Sequence, residues 1–512
     1  MIQVVWFKRD LRVEDHAPLA AAAVRGPVLP LFIAEPSLWR AEDADPRHWT
    51  FARTSLEALR GRLAALGAPL VVRVGEVVPL LERLHRRHPV AGLWSHEETG
   101  NALTYARDRA VAAWCRAQGV PWTEIPQHGV FRRQRSREGW AKRWEARMAQ
   151  PCTPMPGALR PVPGIDPGPL PTHADLGLGS DACQGQAGGS RAGQALFDEF
   201  LAGRGDAYHR SMSSPLTAER GCSRLSPHLA WGTLSLRAIT QATVVDLARP
   251  DAPRMARRAF LARLHWHCHF MQKLEDEPRI EHEDVVRGLA GLRPDLPDAD
   301  RLAAWATGRT GWPLVDACQR ALHATGWITF RMRAMLTAVA AYDLWLPWRP
   351  VGLVLARAFT DYEPGIHWSQ VQMQSGTTGI NTLRMYNPTK QAQEQDPEGV
   401  FIRRWVPELA GVPTAWIHAP WTMPHDVQVA AGCRIGHAYP APLVDHTTAV
   451  REARARIAAF RRDPTVQAEV RSVLVRHGSR KRQPERRPRR PVRVEPGQQT
   501  LFDPVPADLS PS

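Results

Sequence analysis

The first 125 residues alternate short apolar runs with stretches whose apolar positions recur every three or four residues. Residues 2–7, 28–33, 70–74, 91–95 and 122–125 read as strands, and 49–66, 76–88 and 102–118 as helices. Strands that alternate with helices predict βαβ units, hence a five-stranded parallel sheet with helices on both faces. No G-x-G-x-x-G stands at a strand-to-helix turn, so the usual dinucleotide phosphate loop is missing. Between 151 and 193, 17 of 43 positions are Gly or Pro, too many for a packed core, and the stretch reads as a connector. From residue 194 the pattern is helical, at 255–273, 299–307, 314–325, 329–344 and 449–460. The expected organisation is an α/β domain over 1–130, a linker over 131–193, a mainly α-helical domain over 194–475 and a disordered Arg/Pro-rich tail over 476–512.

Composition refines this picture. A length of 512 residues suits two or three domains, and 44% hydrophobic with 23% charged residues suits globular ones. No run approaches the roughly 18 apolar residues that a membrane helix needs. The opening MIQVVWFKRDLR places its apolar run before its basic residues, the reverse of a secretory signal. Seven scattered cysteines include no CxxC pair, so a reduced cytoplasmic protein without a disulfide framework is expected. A bacterial source, a monomer and no membrane partner are expected besides.

The net charge of +15 divides into 9 − 4 = +5 from Arg476 onward and +10 in the body. Such an excess predicts a polyanionic partner, although biased arginine usage, with only five lysines among 66 basic residues, accounts for part of it. The 19 tryptophans cluster with arginines and histidines in the helical part, and serve either as core or as a stacking surface for a planar group. His265 and His269 share a helix face beside Cys268, but no second ligand pair accompanies them and no metal site is expected.

Five blocks then carry a resemblance. WFKRDLRVEDH (6–16), GCSRLSPHLAWGTLS (221–235), GRTGWPLVDACQRALHATGW (308–327), RMYNPTKQ (384–391) and DPEGVFIRRWVPEL (396–409) resemble, in order, blocks of the photolyase/cryptochrome family. The resemblance implies an N-terminal α/β antenna-type domain, a long linker and a helical FAD-binding domain. It places Tyr208, Cys222, Ser223, Arg224, Leu225 and Ser226 around the FAD phosphates, with Cys222 where threonine is usual. Arg333 and Asp361 pair beside the flavin ring, Glu363 supplies a second carboxylate, His267 is a further flavin neighbour, and His367 replaces the asparagine that faces flavin N5. A structural salt bridge would join Arg333 and Asp361 even without FAD, but the blocks around them favour flavin contact.

The same resemblance marks departures. Val371 stands where the tryptophan nearest the flavin is usual, Asp295 where the outermost one is, and Trp348 keeps the middle place. A slip of one residue would put Gln370 or Gln372 at the first place and restore no tryptophan. The implied lesion pocket comprises Arg263, Trp266, Phe330, Arg331, Met373 and Gln391, and the implied catalytic group His367, Arg333, Asp361 and Trp348. Arg263 replaces a glutamate of the cyclobutane-dimer enzymes, Met373 a tryptophan and Ala334 a methionine.

The function implied is light-driven repair of pyrimidine dimers in DNA, in which reduced FAD lends an electron to a flipped-out dimer and recovers it. The alternative is a cryptochrome-type blue-light receptor that binds FAD without repair. An antenna chromophore, folate or deazaflavin in type, is compatible with the α/β domain, and Glu97, Glu98 and Asn101 follow its fourth strand. Separately, Gln498, Leu501 and Phe502 fit Gln-x-x-Leu-Phe, which resembles the motif that docks bacterial repair enzymes on the sliding clamp.

Overall fold

The computed structural model describes residues 1–134 and 136–477; the tail, with its clamp-motif residues, lies outside the described residues. The N-terminal part is a five-stranded parallel sheet of β1 (Ile2–Phe7), β2 (Val28–Ala34), β3 (Val71–Val74), β4 (Val90–His96) and β5 (Trp122–Ile125), in the order β3-β2-β1-β4-β5. β1, at the centre, is buried at every position, and β2 likewise, because helices cover both faces of the sheet. Two apolar cores result. Phe7, Phe32 and Trp49 lie in one, and Val4, Trp6 and Leu31 in the other, as the period of two along each strand requires.

The stretch 131–193 is more structured than a connector was expected to be. It contains the helix Trp140–Ala149, whose Trp140, Trp144 and Met148 join the core of the helical part. Farther on, Leu159 and Leu176 insert into the core of the sheet domain, and Val28 bridges to Pro161. A few apolar side chains seated in another unit's core offset the ordering cost that Gly and Pro alone could not.

From Ser190 the described chain is helical. The long helix Arg254–Asp276 packs along Pro364–Ser375, and these two with Phe330–Ala338 and Trp348–Ala358 form the frame of the site. Thr329 caps Phe330–Ala338 by accepting from the Met332 amide at 3.3 Å. No helix among the described residues is long and apolar enough to cross a membrane.

The two halves meet where the first two resemblance blocks touch. Arg9 donates to the Ala230 carbonyl at 2.9 Å, Arg12 to the Gly232 carbonyl at 3.0 Å, and the Leu11 amide to the Trp231 carbonyl at 3.2 Å. Trp231 stacks on Trp39 at 5.6 Å, under the Arg9 guanidinium, and its indole donates to the Thr360 carbonyl. Beneath this seam Asp10 accepts from His16 Nε2 at 2.9 Å and His96 Nδ1 at 2.7 Å. Burial opposes ionisation of Asp10, but the two histidines outweigh it and hold the carboxyl well below its ordinary range.

Candidate functional site

The four frame helices and the loop before Ser226 enclose a cavity of about 280 Å³. One wall is the stretch 222–226 with Tyr208. Arg224 has a left-handed backbone (φ 61°), and its side chain lies 4.1 Å over the Trp327 ring. Arg204 holds the stretch from behind by donating to the Cys222 and Ser223 carbonyls. Burial pushes the Cys222 thiol up to about 12, so it remains protonated.

The opposite wall carries the titratable groups. Arg333 donates to both oxygens of Asp361, at 3.0 and 2.8 Å, and to the Ile328 carbonyl at 3.0 Å, while lying 3.9 Å from the Phe359 ring centre. This is a fork on a carboxylate, the geometry that gives arginine its directional strength. His367 hydrogen-bonds the Gly352 carbonyl through Nε2 at 2.8 Å, and burial brings its pKa down to about 4. A carbonyl only accepts, so Nε2 carries the proton and Nδ1 is an acceptor at neutral pH. His267 is also held neutral by burial, near 4, and its Nδ1 has no partner.

Glu363 lies between cavity and seam. Burial raises its pKa to about 7 against the pull of Arg9, whose guanidinium is 3.8 Å away, and Oε1 has no partner. A carboxyl whose folded pKa exceeds its usual 4.5 stabilises the fold at low pH and loses that contribution as pH rises towards 7. Between pH 5 and 8 the wild type is expected to lose roughly 2 kcal/mol relative to Glu363→Gln. Urea midpoints at the two pH values measure it, and parallel curves would refute the assignment.

Every residue expected around the flavin lines this one cavity: Tyr208, Cys222 to Ser226, His267, Arg333, Asp361, Glu363 and His367. Arg263, Trp266, Phe330 and Arg331 line it too; the Arg263 guanidinium sits 5.9 Å from the Phe330 ring and Trp266 5.4 Å from Phe270. Three expected residues do not. Met373, half-buried, is outside the lining although the 3.6-residue period sets it at the edge of the lining face, seven positions after Ile366 and three after Gln370. Gln391 is buried against Glu394, outside the lining. Trp348 is likewise outside; its indole donates to Asp284 at 2.8 Å and its ring meets Trp368 edge-on at 5.8 Å. Trp368, 1% exposed and 4.9 Å from His367, was not expected, and neither was Gln374 on the cavity face; Gln370 is there too, where only a slip of register would have put it.

His265 and His269 pack edge-on against Trp140, and His265 also against Trp144. Among the described residues, the cluster with metal-ligand spacing is Asp10, His16 and His96, whose carboxylate already serves both imidazoles.

The cavity's chemistry suits an anionic ligand with a planar polar head. Arg224, Arg263, Arg331 and Arg333 line it against Asp361 and Glu363. Aromatic faces and unpartnered buried polar atoms of His267, Arg331, Glu363, Gln370 and Gln374 complete it. These residues fit FAD: arginines for the phosphates, aromatic and amide groups for the ring.

Comparison with known proteins bears on the same regions. Residues 3–153 match the family model described as DNA photolyase, and 260–459 that described as the FAD binding domain of DNA photolyase. The chain is 30% identical over 481 residues to a cryptochrome DASH of Gloeobacter violaceus, covering 86% of this chain and 93% of the other. It is 31% identical over 480 residues to a deoxyribodipyrimidine photo-lyase of Streptomyces griseus, covering 89% and 98%. Its fold matches that of a bacterial class III photolyase from Agrobacterium tumefaciens with a TM-score of 0.79, 25% identity and coverage of 90% and 98%.

Proposed function

The chain belongs to the photolyase/cryptochrome family, and from that membership we propose that it repairs pyrimidine dimers in DNA in a light-driven reaction. Its helical part is the family's FAD-binding domain. The observation that carries the proposal is the convergence on one cavity of four arginines, Arg333 among them forked on Asp361, with the rings of Trp266, Phe270, Trp327 and Phe330. Bound FAD supplies light absorption and one-electron chemistry there. Tyr208, Ser223 and Ser226 hold the phosphate end with Arg224, whose guanidinium stays charged at any working pH. Arg333 and Asp361 orient the ring, and His367, neutral at pH 7, offers an acceptor without adding charge. Trp266 and Phe330 stack an extruded base, and Arg263 and Arg331 meet its phosphates and carbonyls.

The receptor reading draws on Val371 in the place of the tryptophan nearest the flavin and on Met373 in the place of one that lines the dimer pocket. Reduced, FAD-loaded protein illuminated with a dimer-containing oligonucleotide separates the two readings. Light-dependent loss of the dimer is expected; its persistence with FAD bound would support the receptor. The Gln498–Phe502 segment docks the sliding clamp in the same reading, and a tail peptide whose clamp binding ignores Leu501→Ala and Phe502→Ala would refute that.

A further inference from the structure

Three glutamines in the helix Pro364–Ser375 are treated unequally by the fold. Gln372 spends its whole amide inside the protein. Its Nε2 donates to the Ile280 and Glu283 carbonyls at 2.8 and 2.7 Å, and its Oε1 accepts from the Val285 amide and the Thr377 hydroxyl, both at 2.8 Å. Gln370 and Gln374, one helical turn apart, face the cavity instead. Both amide atoms of each are shielded from solvent and have no partner, and Gln374 is 3% exposed. Buried amides are almost always satisfied, so four such atoms aimed into one cavity point to a ligand that completes them.

The donor pattern restricts that ligand. A glutamine amide offers an acceptor oxygen beside a two-proton donor nitrogen and carries no charge. A phosphate or carboxylate has no hydrogen to give the two oxygens, and a hydrocarbon satisfies neither group. A ring edge reading carbonyl, N–H, carbonyl matches both kinds of group, as adenine's edge matches an amide on DNA. Its two carbonyls accept from the two NH2 groups, and its one N–H donates to an amide oxygen or is shared by the two. We infer that Gln370 and Gln374 read the cyclic imide edge, –CO–NH–CO–, of the ring bound in this cavity. Two sources share that chemistry: the flavin ring and a thymine of the lesion. The inference rests on the FAD and dimer reading above and assigns these two residues its ring selectivity.

Methylation of the imide nitrogen removes the donor and tests this without relying on any variant. Wild-type full-length chain is titrated in the dark with FAD and 3-methyl-FAD. The FAD-loaded chain is then titrated with oligonucleotides carrying a thymine dimer or its N3-methylated form. Preference of about tenfold for the unmethylated probe is expected in one arm, and the arm identifies the source. Gln370→Leu or Gln374→Leu is expected to erase that preference, with circular dichroism confirming the fold. Ratios near one in both arms, or a ratio unchanged in both variants, overturn the inference. Dark binding is independent of repair, so intact selectivity with no dimer splitting would reject repair alone, and lost selectivity with repair would reject this assignment alone.

Discussion

Replacing Arg333 by leucine is expected to abolish FAD retention and to lower stability by about 3 kcal/mol. The side chain of Asp361 is 3% exposed and receives two of the three hydrogen bonds Arg333 makes. Without the guanidinium, a carboxylate stays buried with no counter-ion, which costs far more than the pair itself contributes. The Ile328 carbonyl also loses its donor, and Phe359 loses the cation stacked on it. The double change Arg333→Leu with Asp361→Leu separates stability from binding. It is expected to recover most of the stability, since no charge remains unpaired, while FAD still fails to co-purify. Urea midpoints and blue absorbance of the purified chains measure both quantities. A single variant as stable as the wild type would show that solvent already compensates Asp361.

How far such residues were readable depended on what fixes them. The sheet strands were legible to within about a residue, because the central strands, buried on both faces, are mostly apolar runs, and the shorter edge strands stand between helical patterns. Arg333, Asp361 and Tyr208 lie between the resemblance blocks and were carried over by position relative to them; they and the 222–226 stretch, most of it inside a block, line one cavity. The helix Pro364–Ser375 defeated the same approach. Nine of its twelve residues are buried, so no polar face betrays which side meets the cavity and which meets protein. Alignment therefore named Met373, at the edge of the lining face, for the pocket, offered Gln370 only as a slip of register, and left Gln374 and Trp368 unassigned. One signal was present: glutamines at 370 and 374 share a face with Glu363 and His367, by the i, i+4 spacing. The helix Trp140–Ala149 was obscured for another reason. Its tryptophans are spaced four apart, but the Gly/Pro-rich stretch that follows dominated the composition of the segment.

Gly232→Ala is expected to cost roughly 3–5 kcal/mol and to loosen the two halves from one another. Gly232 has φ 62°, where a side chain is strained, and a Cβ built there would lie 2.2 Å from the Arg9 carbonyl oxygen and 2.6 Å from Asp10 Cα. Both obstacles are backbone, so no side-chain rotation relieves them. The seam itself must open. Opening it pulls Arg9 away from the Ala230 carbonyl and from Glu363, and so reaches the cavity wall. Loss of Arg9 removes a charge that favours ionised Glu363, whose pKa should rise further. Gly291 supplies the control: its φ is 79°, yet a Cβ there meets nothing within 4 Å. Gly291→Ala therefore reports the left-handed backbone cost alone, about 1 kcal/mol. The excess for Gly232→Ala, read from urea midpoints, is the energy of the close approach between the two resemblance blocks. Faster proteolysis within 151–193 should accompany it, because that segment spans the seam. Equal midpoints for the two variants would mean that the halves can part without loss, and that their contact is not what holds the cavity wall in place.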